Sequence, residues 1–442
     1  MYTKKIKYTT FDGSYSVESI YSEPDRYAQI DLISGSNKNL IPRGGGFSYS
    51  ALSFDKKSIS ISTKHLNRFL EFDPKRKIIK VESGVKLIDL INFLHKKGFY
   101  LPVIPGHPLI TIGACIAADV HGKNPFYDGT FCDWVNAIEL YHPIKGYLKL
   151  KNNSKIFSLT CGGFGMTGLI INTSLKIKPL KSNFIETNIK KTNTIYDLIN
   201  ALVKSKSDYS YTWSNLSNLK KHETGLLFES SWVLKKLPVH ATKFNDFKGY
   251  NFNYNTRKLL PFSLFNKFTI FLFNKFYFFY ALTFKRNFKI HHIKSNFPFG
   301  FFSIYHFFYG RQGFYEPQFL VSFQNSFLFI QTVLHIIKKS KVSACFMSLK
   351  KFNGRQESLS MTGKGILVSF NFKRTKDLDL FLLKLKPILI KFKVQPNLTK
   401  DSKIDYIQAK NTIKNYKKFK AAINTYDSKR VFKSYLSNKI RL

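Results

Sequence analysis

Residues 102–124 read Pro-Val-Ile-Pro-Gly-His-Pro-Leu-Ile-Thr-Ile-Gly-Ala-Cys-Ile-Ala-Ala-Asp-Val-His-Gly-Lys-Asn. The segment joins a Pro105-Gly106 turn, a mostly small run from Gly113 to Ala118 that lets backbone approach a ligand, and a polar end of Asp119, His121, Lys123 and Asn124. That combination suits a large flat cofactor. A second motif, Arg43-Gly44-Gly45-Gly46-Phe47-Ser48-Tyr49, follows the strand-like 39–42. Its three glycines leave backbone N–H groups unshielded and Ser48 adds a hydroxyl, so the loop could cradle a pyrophosphate; a triple glycine alone reads rather as a surface loop, and the neighbouring motifs reverse that preference. A third stretch, from Cys161 to Ile170, holds the spacing Gly163-x-Gly165-x-x-Gly168. A dinucleotide fingerprint needs a helix directly afterwards and an acidic residue about twenty positions on. Here 169–177 reads as a strand and lysines stand where the acid is expected, so the Rossmann reading fails. A glycine-lined strand entry packed against a flat cofactor remains.

The elements that would position these motifs alternate along the first 180 residues. Residues 58–62 alternate polar and apolar, 78–81 are rich in β-branched residues, and Leu87, Ile88, Leu90, Ile91 and Leu94 recur at helical spacing. From about 181 to 394 the chain is richer in Phe and Tyr, with apolar stretches at 314–329 and 365–372 that suit a broad antiparallel sheet and a helix over 378–385. Residues 395–442 return to the mixed character of the start. No repeat of solenoid period is visible.

Composition limits the alternatives. With 442 residues and 44% hydrophobic content the chain can build two or three cores, which excludes general disorder. Its formal net charge of +43 comes from 70 Lys and Arg against 27 Asp and Glu, and it favours anionic partners: phosphorylated lipid, an acidic membrane surface or nucleic acid. A lysine-rich compositional bias gives the same number. A nucleic-acid-binding protein would use this charge on phosphates, but no zinc-finger spacing or helix-turn-helix pattern accompanies it, and the glycine motifs would go unexplained. Cys115, Cys132, Cys161 and Cys345 show no metal-ligand or disulfide spacing and read as buried small hydrophobes. The basic N-terminus is followed by polar residues, which argues against a signal peptide and for a cytoplasmic or inner-membrane-peripheral location.

Taken together, the order Arg-Gly-Gly-Gly-x-Ser-Tyr, then Pro-Gly-x-x-x-x-Thr-Ile-Gly-x-x-Ile-Ala-x-Asp-x-His-Gly-Lys-Asn, then Gly-Gly-x-Gly-x-Thr-Gly resembles the FAD-linked oxidases of the vanillyl-alcohol oxidase superfamily. Within it the chain is most similar to oxidases of a polyprenyl-phosphate-linked ribose. Further likeness lies at Tyr309-Gly310-x-x-Gly313-Phe314 with Gln318-Phe319, at 398–403 and at 431–442. The resemblance implies an α+β fold: a two-part PCMH-type FAD-binding domain, residues 1–180 completed by 395–442, with an antiparallel-sheet substrate domain, 181–394, inserted between. It implies FAD held by Arg43, Gly44, Gly45, Gly46, Phe47, Ser48 and Tyr49, by Pro105, Gly106, Thr111, Gly113, Ala114, Ala117, Asp119, His121, Gly122 and Asn124, and by Gly165, Gly168, Ile170 and Lys400. Many members attach FAD through a histidine in the first glycine loop; Phe47 stands there, so noncovalent FAD is expected. No metal is expected.

Gln318, Lys350 and Lys400 fall where the family has polar residues around flavin and substrate. Hydride transfer to a flavin leaves negative charge near its N1 and C2 carbonyl, which an ammonium would stabilise; Lys400 is the candidate, with a neutral lysine taking the substrate hydroxyl proton as its competing role. His121 reads as a polar contact to flavin or substrate or as a buried histidine satisfied by backbone, and Tyr49 as a phenol facing the flavin or as packing. Ser50-Ala51, Ala114 and Ser369 depart from the closest pattern, where a Gly-Asp pair, a glycine and a cysteine stand. Residues 259–286 set phenylalanines among Lys267, Asn274, Lys275 and Lys285; on a helix Ser263, Lys267 and Asn274 would fall on one side, and the segment reads either as an interfacial helix at a membrane or as an aromatic lid or core element. The expected activity is oxidation of a secondary hydroxyl on a polyprenyl-phosphate-linked pentose, partnered by an NAD(P)H-dependent reductase that completes an epimerisation. The alternative is a soluble sugar, alditol or aldonolactone oxidase.

Overall fold

A computed structural model describes residues 3–33, 39–216, 225–234, 259–297 and 302–442. Two sheets form the N-terminal part. The first runs Lys4–Thr9, Ser16–Ser22, Ser58–Ser62, Asn39–Arg43 in spatial order, an antiparallel hairpin joined to parallel partners. The Ser-Ile alternation of 58–62 separates two faces, yet both are buried. Ile59 and Ile61 enter a core with Leu40 and Leu169, while Ser58 and Ser60 donate to the carbonyls of Lys433 at 2.8 Å and Ser53 at 2.9 Å. Hydrogen bonding to backbone makes the polar face as coverable as the apolar one.

The second sheet is wholly antiparallel, in the order Phe69–Asp73, Ile78–Glu82, Leu169–Lys176, Val135–His142, Gly146–Lys151. Leu169–Lys176 is a strand, as its sequence indicates, so the glycines before it do not lead into a helix. The helix Leu87–Lys96 buries the five apolar positions named above against this sheet. All four cysteines are free and buried. The last residues return to the first sheet: Leu40 N–H donates to the Val431 carbonyl, and Lys433 N–H to the Leu40 carbonyl, each at 2.8 Å. The helix Tyr416–Tyr426 adds Phe419 and Ile423 to a core with Phe164, Met166 and Leu398.

Between these parts lies an antiparallel nine-stranded sheet whose main path is Asn287–His291, Phe184–Thr192, Gly225–Trp232, Tyr209–Asn215, Ala344–Gly354, Gly363–Lys373, Gln318–Val321, Gln395–Pro396; Phe314–Tyr315 pairs beside Gly363–Lys373. Strand alternation decides which side chains meet the N-terminal part. Ile366, Val368, Phe370 and Phe372, with Met347 and Leu349, pack into a core shared with the helices Ile195–Lys204, Phe323–Lys339 and Lys376–Lys391. The intervening Phe346, Lys350, Phe352 and Ser369 take the opposite face.

Two sequence expectations change. Strand character holds only at 314–315 and 318–321; from Phe323 the chain is helical, because the Ser322 hydroxyl accepts the Asn325 N–H and Phe329, Ile330, Val333, Leu334 and Ile337 then recur every three or four residues. The short apolar run at 327–330 reads equally as strand and conceals that period. In the helix Lys267–Thr283, Asn274 does not share a polar side with Lys267: it is buried, donating to the Cys345 carbonyl and accepting from the Trp213 indole, both at 3.2 Å.

Candidate active site

The glycine loop, the 105–121 segment and the inner face of the nine-stranded sheet enclose a cavity of about 400 Å³. Gly46 sits at φ +76°, the left-handed region that glycine tolerates. A Cβ on Gly44 would meet Thr111 Oγ1 at 2.3 Å, and one on Gly45 the Leu109 carbonyl at 2.8 Å. Gly44 and Gly45 thus lie flush on residues 109–111. Thr111 precedes the helix Ile112–Ala117, whose Gly113 is pressed against Ser83: a Cβ there would stand 2.8 Å from the Ser83 Cβ. Ser83 Oγ faces this cavity wall, buried and with no hydrogen-bond partner among the described residues. Thr111 Oγ1, behind the loop, is in the same condition. Glycine backbone, a small-residue wall and an unsatisfied hydroxyl fit a cofactor that presents both a pyrophosphate and a polar flat ring.

Of the cofactor residues expected from sequence, Gly44–Tyr49, Pro105, Gly106, Gly113, Ala114, Ala117, Asp119, His121, Gly165, Gly168, Ile170 and Lys400 all line the cavity. Arg43, Thr111, Gly122 and Asn124 stand outside the lining. The Arg43 guanidinium lies 3.8 Å from the Tyr8 ring centroid and donates to Ser53 Oγ at 2.8 Å, bracing the strand behind the loop. The Gly122 carbonyl accepts from Lys350 at 3.4 Å. Asn124 donates to the Pro102 carbonyl at 2.9 Å, tying the two ends of the 102–124 segment together. Lys123 also points away: it donates to the Ser295 carbonyl, 4.8 Å over the Tyr211 ring, and burial together with the Lys350 charge pulls its pKa down to about 7.

The polar wall is a connected network. Thr399 N–H donates to Asn397 Oδ1 at 3.1 Å, which turns the Asn397 amide nitrogen onto Gln318 Oε1 at 2.8 Å. Gln318 Nε2 in turn donates to Ser369 Oγ at 2.9 Å. His121 Nε2 lies 2.8 Å from the same Gln318 oxygen and Nδ1 lies 3.1 Å from the Gly122 carbonyl; both oxygens are acceptors, so a neutral ring serves only one, and the shorter contact favours the proton on Nε2. Burial and the Lys350 charge push the imidazole down to about 4, so the ring is neutral near pH 7 and carries that one proton.

Two cations share this wall. Burial and the neighbouring Lys400 charge lower Lys350 to about 8. Lys400 forms an ion pair with Glu316, whose other oxygen accepts from Asn371 at 3.1 Å; Tyr309 donates to that asparagine from the core behind. Tyr49 stacks on Phe11 at 5.3 Å beneath the Lys400 ammonium, and burial raises its phenol well above the usual range. Asp119, at φ +43°, accepts the Cys132 N–H at 3.0 Å and the Ser360 hydroxyl at 3.2 Å, and burial raises its carboxyl to about 6.

The structure adds Glu316, Asn397, Ser83 and His107 to the residues that sequence reasoning points to. Glu316 stands two positions before Gln318 and Asn397 three before Lys400, so proximity to those residues is the available signal. His107 stacks on Phe47 at 3.9 Å and is pushed down to about 3 by burial. The Ser83 hydroxyl has no local signal.

Residues 23–148 match the FAD binding domain family. Decaprenylphosphoryl-β-D-ribose oxidase of Mycolicibacterium smegmatis is 25% identical over 381 residues, covering 83% of this chain and 81% of that protein. Similarity to mouse L-gulonolactone oxidase is 23% over 218 residues, 48% of this chain and 49% of that one. D-lactate dehydrogenase of Anaerostipes hadrus is 29% identical over 142 residues, 30% of each chain. With the cavity and its glycine cradle, these relations make the chain an FAD-dependent oxidoreductase of CH–OH groups, built on an FAD binding domain and similar to sugar oxidases and hydroxy-acid dehydrogenases.

Proposed function

We propose that the chain oxidises a secondary hydroxyl of a pentose carried on a polyprenyl phosphate, as the oxidase half of an epimerisation that a nicotinamide-dependent reductase completes. The observation that carries this reading is a cavity wall with two half-buried ammoniums, Lys350 and Lys400, flanked by Phe346 and Phe352 and facing the glycine cradle. Such a wall suits an anionic, partly apolar sugar derivative better than a neutral free sugar. The ribose oxidase relation supports it by spanning both the FAD-binding residues and the nine-stranded sheet, whereas the lactone and lactate relations cover half the chain or less.

FAD, when bound, supplies the two-electron acceptor for the hydride that leaves the carbinol carbon. The protein supplies the rest. Lys350, whose burial makes a neutral amine accessible near physiological pH, takes the hydroxyl proton as the carbon–hydrogen bond breaks. The Asn397–Gln318–His121 chain holds the imidazole in one orientation on the cavity wall. Lys400, oriented by Glu316, presents positive charge where negative charge grows. Phe346 and Phe352 exclude water from that wall.

A soluble sugar or aldonolactone oxidase is the second reading, favoured by the gulonolactone oxidase relation. Anaerobic mixing of the FAD-loaded protein with polyprenyl-phosphoryl ribose, free alditols and aldonolactones separates the two. Bleaching of the flavin band by the lipid-linked ribose alone supports the proposal. Bleaching by lactones and not by the lipid-linked sugar refutes it.

A further inference from the structure

The helix Lys267–Thr283 is apolar on both sides. Its inner side, Ile270, Asn274, Tyr277, Phe278, Ala281 and Leu282, rests on the nine-stranded sheet against Leu226, Phe228 and Trp213. Its outer side carries Phe268, Leu272, Phe276, Phe279 and Tyr280, all exposed among the described residues, with Phe268 and Phe276 at 68% and 69%. Phe284, at 65%, continues the face beyond the helix end. A helix apolar all round is one with apolar surroundings on every side. At 17 residues it is roughly 25 Å long, short of a bilayer core, and no described helix is long and apolar enough to cross a membrane.

Charge supplies the second observation. Lys267, Lys275, Lys285 and Arg286 lie on or beside the apolar face, and no acidic residue occurs between Asp246 and Glu316. Aromatic side chains with a cationic border, and no carboxylate in this whole stretch, complement an anionic bilayer surface. The face is also close to the cavity. Asn274 holds Trp213 from the helix, Trp213 stacks on Phe346 at 4.2 Å, and Phe346 lines the cavity.

We infer that this outer face docks the enzyme on an anionic phospholipid surface, with Phe268, Leu272, Phe276 and Phe279 inserted at headgroup depth and the four cations against lipid phosphates. The surface does not depend on which alcohol is oxidised, so it stands or falls separately from the substrate proposal.

The test uses the FAD-loaded full chain and vesicles of phosphatidylcholine, with and without phosphatidylglycerol. Flotation is expected with the anionic vesicles only. Lys267→Gln with Lys275→Gln should weaken it about twenty-five-fold, at about fivefold for each cation. Phe276→Ser and Phe279→Ser should each weaken it about tenfold or more while leaving flavin content unchanged. A tryptophan introduced by Phe276→Trp should be quenched by brominated lipid in anionic vesicles. Equal flotation on both vesicle types, or no quenching, overturns the inference. So does emission from the introduced tryptophan that is already blue-shifted without vesicles, which would show the face covered by the protein's own chain. A dimer in light scattering that Phe276→Ser dissolves would assign the face to a second copy instead.

Discussion

Replacing Lys350 by methionine removes the proposed proton acceptor while keeping much of the length of the side chain. An ordinary lysine at 10.5 is about 0.03% neutral at pH 7, whereas one lowered to about 8 is about 10% neutral, a gain of roughly 300-fold in available amine. The amine is the active form, so the rate of anaerobic flavin reduction should rise with pH and level off above about 8. In Lys350→Met that rise should vanish and the plateau should fall about 10²- to 10⁴-fold, the usual worth of a positioned base. His121 should move the other way, since loss of the Lys350 charge removes part of what holds its imidazole near 4. Stopped-flow bleaching across pH 6 to 9 is the assay, with the range set to bracket that value of about 8. If Lys350→Met keeps the same pH-dependent rise, the proton goes elsewhere and the assignment is wrong.

Other consequences are as specific. Asn397→Leu frees the Gln318 amide to turn, so ¹⁵N spectra of His121 should show the proton shared between the ring nitrogens, against Nε2 alone in the unaltered protein; identical spectra would refute the fixed-amide chain. Asp119 is raised from 3.8 to about 6, so the folded state binds its proton more tightly and its contribution is full below about pH 4 and lost as pH rises through 6. Urea unfolding should show the native protein losing up to about 3 kcal/mol relative to Asp119→Asn between those limits, a loss absent if the carboxyl is unperturbed. With Phe47 in the glycine loop, acid precipitation should release all FAD into the supernatant, and colour remaining in the pellet would establish a covalent bond.

What is legible in the sequence is what local chemistry carries. The glycine loop at 44–46 and the small wall at 113–118 announce close backbone approach within a few residues, and the failure of the Rossmann reading follows from β-branched residues directly after Gly168 and Leu169. Lys350 and Ser369 are different. Their position depends on which face of a strand meets the N-terminal sheets, a fact set by pairing between 344–354 and 363–373 and by helices packed on the far side. Glu316 is a lone glutamate that carries no pattern until Lys400, 84 positions away, closes on it. The start of the helix at 323–339 reads as strand because Phe327, Leu328, Phe329 and Ile330 form an unbroken apolar run. The same masking hides the inward turn of Asn274.

In the proposed reaction this cavity brings a carbinol carbon to FAD for hydride transfer. Single-turnover anaerobic reduction with polyprenyl-phosphoryl ribose deuterated at the oxidised carbon tests it most directly. Bleaching several-fold slower than with the undeuterated sugar is the predicted result. A flavin that never bleaches, or bleaches at the same rate with both isotopes when chemistry limits the step, would contradict it.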